Sequence, residues 1–326
     1  MFDFEFNSQI GKYMKDFLIQ KQDLGFKIKP YYYYFREFDN MLYSHGNPEY
    51  ITEGSIEAWD NLKTDLSTNS RISRHNKIRK LCIYIHDRNQ DSFVPDTSSL
   101  KERRTFVPYV FSHEQIHRIL MEADNIPFCN HYRLHHLMIP AALRMLYGCG
   151  YRESELLNMK LKDMNLDTGV TIVIGKGGKE RYVVMAPGLL SYIKEYVRNL
   201  TSEMDTEWLF PRVKVFESGH YSDRALYNSF REITLKCGIP HGGRSRGPRV
   251  HDLRHTFAVH SLESQLRMGY KPMEIIPRLA AYMGHSHYKD TLYYLHLTEE
   301  AFPDLMIDYE ECFSSLLPKG VFHEED

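Results

Sequence analysis

Between Asp91 and Tyr109 the chain runs through a stretch rich in Ser, Thr and Pro, with a basic cluster at Lys101, Arg103 and Arg104. Such a stretch reads as a linker, and it divides the 326 residues into two parts, each large enough to be a domain. Residues 1–105 read as helical, with candidate helices Ile10–Leu24, Pro30–Ser44, Ile56–Leu66 and Ser73–His86 set apart by Gly25, by Gly46 and Pro48, and by Ser67–Ser70. The second part, residues 106–326, opens a helix at Ser112 with Gln115 three residues on, as in a capping box. Its clear β signal is a hairpin: Val170–Ile174, a GKGGKE turn, then Arg181–Met185. The expected fold is mainly α, with a small β-hairpin or sheet in the second domain.

Hydrophobic residues at 42% and charged residues at 26% suit a soluble chain with sizeable cores. No window approaches 18 uninterrupted apolar residues, and MFDFEFNSQIGKYMKDF carries acids where a signal peptide would be apolar, so the expected compartment is the cytoplasm, with no membrane partner. Five scattered cysteines form no CxxC pair and suit buried thiols better than disulfides or a zinc site. The net charge of −2 hides an asymmetry: residues 299–326 hold nine acids against Lys319, so residues 1–298 carry +6. That balance permits a polyanionic partner without proving one. Within the first domain, RISRHNKIRK presents Arg71, Arg74, Lys77 and Lys80 with no acid among them. A solvated basic face would explain this, and so would a face that tracks DNA phosphates.

Four patterns in the second domain bear on chemistry. GCGYRESELL places Arg152 after a glycine turn, with Glu155 at i+3 on the same helical face to hold its guanidinium. GKGGKER puts Lys176 at the hairpin tip, and HDLRHTFA sets His251 and Arg254 three apart on one face. YMGHSHYKDTLYYLHL offers His285 after a glycine turn and Tyr294 nine residues later. Singly, each has a plain explanation: a surface salt bridge, a hairpin turn, a decorated helix, one packing tyrosine among 23. Together they fit one reaction. A phosphodiester under attack needs fixed positive charge, which two arginines supply through paired hydrogen bonds. A tyrosine hydroxyl becomes a nucleophile once its proton is handed off, and a lysine of depressed pKa can protonate the leaving oxygen. This chemistry calls for no cofactor and no metal.

In this order the residues resemble the catalytic domain of the tyrosine recombinases, the phage-integrase family that includes Xer-type, Cre and lambda-type integrases. The resemblance covers roughly residues 110–298, and more loosely the first domain. The family signature falls on Arg152, Lys176, His251 with Arg254, His285 and Tyr294, with Glu155 in a supporting place. The ending Tyr294-Leu295-His296 selects Tyr294 over Tyr288 and Tyr293. One departure is the stretch between Arg254 and His285, several residues longer than the family suggests, with Pro272 and Pro277 inside it.

The resemblance implies a two-domain clamp on DNA: residues 1–105 a helical core-binding domain with Arg71, Arg74, Lys77 and Lys80 near phosphates, residues 106–326 the catalytic domain. It implies a site-specific recombinase or integrase acting through a 3′-phosphotyrosine, as a tetramer on double-stranded DNA carrying specific recombination sites, with accessory DNA-bending or directionality proteins as further partners. Three other readings compete. A type IB topoisomerase shares the Arg, Lys and Tyr chemistry, a silent DNA-binding regulator would have lost one of these residues, and a zinc enzyme could draw on His251, His255, His285 and His287. After Thr298, read as an N-cap, Phe302, Leu305, Met306, Tyr309, Phe313 and Leu316 recur at helical steps, so a tail helix is expected over 299–317. It packs either on its own domain or, as the family implies, on a neighbouring protomer.

Overall fold

The computed structural model describes residues 4–98, 107–175, 178–212, 219–243, 247–285 and 289–302. The chain divides into two compact units, Met1–Val107 and Pro108–Asp326. Lys176, His287 and the tail beyond Phe302 lie outside the described residues.

Among its described residues the first unit holds four helices: α1 (Gly11–Asp23), α2 (Lys29–Ser44), α3 (Glu53–Asn61) and α4 (Thr68–His86). Their shared core is aromatic, with Phe17 edge-on to Phe35 and Tyr84 and Phe38 edge-on to the buried Trp59. The last two helices start earlier than the sequence pattern suggests. Thr52 caps α3 by accepting from the Ser55 N–H, and Ser67 caps α4 by accepting from that of Ser70. The Ser67–Ser70 stretch is therefore not a breaker: its serines satisfy the free N–H groups of a first turn.

The second unit contains α5 (His113–Asp124), α6 (His135–Cys149), α7 (Glu153–Leu157), β1 (Met164–Asn165), β2 (Val170–Ile174), β3 (Glu180–Val184), α8 (Pro187–Glu203), α9 (Asp223–Lys236), α10 (Asp252–Arg267), α11 (Pro272–Met283) and α12 (Lys289–Ala301). Ser112 and Gln115 form the expected capping box at the start of α5. The sheet is antiparallel in the order β1-β2-β3, with Ile172 opposite Tyr182. The strand β1 was not expected: two residues are too few to show alternation. Helices α6 and α10 are the most buried, and α10 packs against α6, α11 and α12. Pro272 is the first residue of α11, where its missing N–H costs nothing, so the long stretch after Arg254 becomes the end of α10, a Gly269 turn and a further helix. No helix among the described residues is long and apolar enough to cross a membrane.

Candidate active site

Two glycines in the left-handed conformation set the frame of the site. Gly150 (φ 63°) ends α6 and Gly284 (φ 65°) ends α11. A Cβ on Gly150 would come 2.3 Å from the Phe257 ring, so that position requires glycine for space as well as for φ; one on Gly284 would come 3.0 Å from Arg181, a tight fit, and there φ is the main demand. Each turn leaves helix-terminal carbonyls facing inward, and the arginines use them.

Arg254, on the first turn of α10, is 1% exposed. Its Nη1 donates to the Gly150 carbonyl at 2.5 Å and its Nη2 to that of Met283 at 2.5 Å, with His285 Nε2 3.4 Å away. Two helix C-termini, each partly negative, thus carry a buried cation. Burial pushes the Arg254 pKa down to about 10, and the neighbouring Arg152 adds to this, so the guanidinium stays charged at neutral pH.

Arg152 follows the buried Tyr151, whose hydroxyl lies 2.5 Å from Thr171 Oγ1 on β2. It caps α7, and Glu155 answers it twice: Oε2 accepts from the Arg152 backbone N–H at 2.9 Å and Oε1 from Nη1 at 2.7 Å. Arg152 Nη2 also donates to the Gly284 carbonyl at 3.3 Å. Glu155 in turn takes a two-pronged contact from Arg181 on β3, at 2.9 and 2.6 Å, while Arg181 Nε donates to the Tyr282 carbonyl. Burial alone would raise the Glu155 pKa; the hydrogen bonds from Arg181 and Arg152 outweigh it and hold the carboxyl at about 2. Glu155 and Arg181 thereby tie α7, β3 and the end of α11 into one block.

Tyr294 lies on α12 and is 3% exposed. Its hydroxyl is 3.2 Å from His255 Nδ1, and its ring stacks on His285 with centroids 5.7 Å apart. Burial raises the hydroxyl pKa, against the pull of Arg254 and Arg152. His285 is steered by Thr291, one turn before Tyr294, with Nδ1 2.8 Å from Oγ1. His251, at the N-terminus of α10, stands 4.9 Å from His255, ring to ring. Burial first, and the surrounding positive charge second, lower the pKa of His251 to about 4, His255 to about 3 and His285 to about 4. These imidazoles are therefore neutral at pH 7. What remains charged is a set of three guanidiniums on one carboxylate, with Asp290 at the edge. That excess of fixed positive charge suits an anion that gains charge as it reacts.

Arg152, His251, Arg254, His285 and Tyr294 are thus brought together, with Glu155 beneath them, whereas Lys176 falls outside the described residues. Arg181, His255 and Thr291 are additions. His255 directly follows Arg254, Thr291 precedes Tyr294 by one helical turn, and Arg181 is a charge at an inward strand position, the weakest signal of the three. Tyr293, partly buried, packs against the same apolar cluster of Ala258, Leu279 and Met283 that buries the Tyr294 ring. Of the histidines weighed for zinc, His251, His255 and His285 do not converge; among the described residues the donors that do are those of His113, His260 and Glu263.

The basic helix needs a correction. Arg74 is 5% exposed, its Nη1 donates to Glu37 at 2.5 Å and its guanidinium lies 3.8 Å over the Trp59 ring. It belongs to the core stripe Arg74, Ile78, Leu81, Ile85 and is not part of a solvent face. The cause is geometric: three-residue steps fall short of a 3.6-residue turn by about 60° each, so Arg71 and Lys80 sit on opposite sides of α4. Lys80 is exposed, Arg71 is half-buried, and Lys77 is half-buried with Nζ on Ser73 Oγ and over the Tyr34 ring.

Residues 110–301 match the phage integrase family, which is more than half of the chain. The chain belongs to the phage integrase family. It is 26% identical over 300 residues to a Sinorhizobium fredii protein named as an integrase/recombinase, y4rB, covering 90% of this chain and 94% of that one. It is 34% identical over 155 residues to the tyrosine recombinase XerA of Pyrococcus furiosus, about half of each chain (47% and 48%). Among solved structures, the fold resembles XerH recombinase bound to palindromic difH in a post-cleavage complex (TM-score 0.60, 18% identity, 86% of this chain and 78% of that one). It also resembles the Tn1549 transposon integrase in complex with transposon right end DNA (TM-score 0.58, 16% identity, 89% and 99%).

Proposed function

We propose that this chain is a cytoplasmic site-specific DNA recombinase that cuts and rejoins DNA through a 3′-phosphotyrosine on Tyr294. The observation that carries the reading is the buried Tyr294 hydroxyl set among Arg152, Arg254 and neutral imidazoles, in a pocket whose net charge is positive. In the forward step the Tyr294 oxygen bonds to phosphorus and the bond from phosphorus to the 5′ oxygen breaks. Arg152 and Arg254 donate to the nonbridging oxygens, and Glu155 and Arg181 hold Arg152 in place. His255 Nδ1, 3.2 Å away, is the nearest acceptor for the phenol proton, and the negative charge of the bound phosphodiester raises its basicity. Lys176, in the sequence between β2 and β3, protonates the departing oxygen, and His251 and His285 complete the hydrogen bonds around the phosphate. Rejoining is the reverse, with a 5′ hydroxyl from a partner strand displacing the phenolate.

The partner is double-stranded DNA with specific recombination sites. Residues 1–105 supply a second DNA-binding surface, on which the exposed Lys80 is the basic residue of α4 best placed for phosphate contact. The working assembly is a tetramer on DNA, and the segment 303–317 links protomers or docks on its own domain. Two relatives of similar fold were solved with DNA, which supports the choice of partner.

The test is covalent trapping on a nicked suicide duplex. The native protein forms a denaturation-resistant DNA adduct, and Tyr294→Phe binds the duplex but forms none. An adduct that survives in Tyr294→Phe, or a phosphotyrosyl peptide mapped to Tyr293, refutes the assignment.

A further inference from the structure

The second unit holds a group of donors that the reaction does not use. His113 is the first residue of α5, and His260 and Glu263 stand at i and i+3 on α10, so both project from one face. One donor atom from each lies within 4.8 Å of the other two. His113 Nε2 is 2.8 Å from Glu263 Oε2, and Arg267 Nε donates to the other carboxylate oxygen at 2.9 Å. An ordinary ion pair accounts for that much. It does not account for His260, which is 6% exposed, has Nδ1 3.0 Å from the Tyr147 hydroxyl, meets the backbone of Phe111, and has a buried Nε2 that makes no well-aligned hydrogen bond. A buried polar atom without one costs about 1–3 kcal/mol, so its retention calls for a reason.

We propose that His113, His260 and Glu263 form a binding site for a divalent transition-metal ion, with zinc the best match to two imidazoles and a carboxylate. The arrangement around His260 is the one a metal ligand needs. Tyr147 contacts the ring at the far nitrogen, and the tautomer that donates to it from Nδ1 leaves the Nε2 lone pair for the ion. Arg267 plays the same part for Glu263, engaging Oε1 and leaving Oε2. Burial keeps His260 neutral, with a pKa lowered to about 4. The imidazoles of His113 and His260 are stacked, 3.8 Å apart at 22°, so their lone pairs must tilt to converge. A four-coordinate zinc also wants its ligand atoms roughly 3.4 Å apart. The His113 side chain, 60% exposed, supplies that movement, and the proton it shares with Glu263 leaves as the ion enters. Water takes the fourth position.

The ion has no role in strand cleavage. It clips α5 to α10 six residues beyond Arg254, where the Phe302 ring, just past the end of α12, sits 6.1 Å from His260 and 6.3 Å from His113. Its effect is to stabilise the packing that holds the Tyr294 helix.

The full chain, stripped with a chelator and dialysed, is titrated with Co²⁺ alone and then with Zn²⁺. One equivalent of Co²⁺ gives the visible absorption of a four-coordinate site, and Zn²⁺ bleaches it. Zn²⁺ at a hundredfold excess over Kd raises the melting temperature by roughly 5–10 °C. His113→Ala, at an exposed position that leaves the core intact, and Glu263→Gln both lose the absorption and the shift; Tyr147→Phe weakens binding by about 10- to 100-fold. The double variant His251→Ala/His255→Ala keeps the signal. Full cobalt absorption in His113→Ala, loss of it in the double variant, or no uptake at all overturns the proposal.

Discussion

Replacing Glu155 by Gln removes one charge and almost no volume, and its cost can be worked out from the site. The Glu155 carboxyl is held at about 2 against an ordinary 4.5. At about 1.4 kcal/mol per tenfold in proton affinity, that gap is worth about 3 kcal/mol of stability at neutral pH. The side chain is 6% exposed, so solvent screens little of it. Removing one partner of a buried pair, which here strands Arg181 at 9% exposure, costs about 3–5 kcal/mol by mutational precedent, in agreement. The pH dependence follows from the sign. A depressed carboxyl pKa stabilises the fold fully above the unfolded value near 4.5, and this contribution is lost as the pH falls towards 2. The gap between native protein and Glu155→Gln is therefore flat from pH 7 to about 5 and shrinks below 4.5. The buried neutral imidazoles lose stability below about pH 6.5 in both proteins and largely cancel in the difference, His251 least because Glu155 acts on it directly. Urea unfolding across this range measures it. The double variant Glu155→Gln/Arg181→Met should be little worse than Glu155→Gln alone, since the second change removes an arginine already stranded. A gap under about 1 kcal/mol at pH 7, a gap that does not shrink in acid, or additive effects would refute the coupling.

His255→Ala lowers single-turnover cleavage by about 100-fold or more, with DNA affinity nearly unchanged, because the nearest acceptor for the Tyr294 proton is gone. An unchanged rate in the variant removes its role. In the first unit, Lys80→Ala reduces the dependence of log K on log salt by about one, whereas Arg74→Met costs about 2 kcal/mol of stability through Glu37. A salt slope untouched by Lys80→Ala ends that assignment.

The reaction centre was legible in the sequence because its residues sit beside local signals: a glycine turn before Arg152, another before His285, and one helical face for His251 and Arg254. The supports were harder to read, since they depend on contacts distant in sequence. Arg181 and Glu155 are separated by 26 positions and two strands, and nothing in ERYVV says which carboxylate the arginine meets. Thr298 shows the opposite failure, a local signal that tertiary packing overrode. A threonine followed by two glutamates resembles a helix start, yet Thr298 is fully buried inside α12 and its hydroxyl donates to the Tyr294 carbonyl at 2.8 Å. The hydroxyl satisfies the backbone one turn back, so α12 runs on without a break from Tyr294 to Ala301. A force on Phe302, the residue after Ala301, is therefore transmitted to the tyrosine through continuous helix.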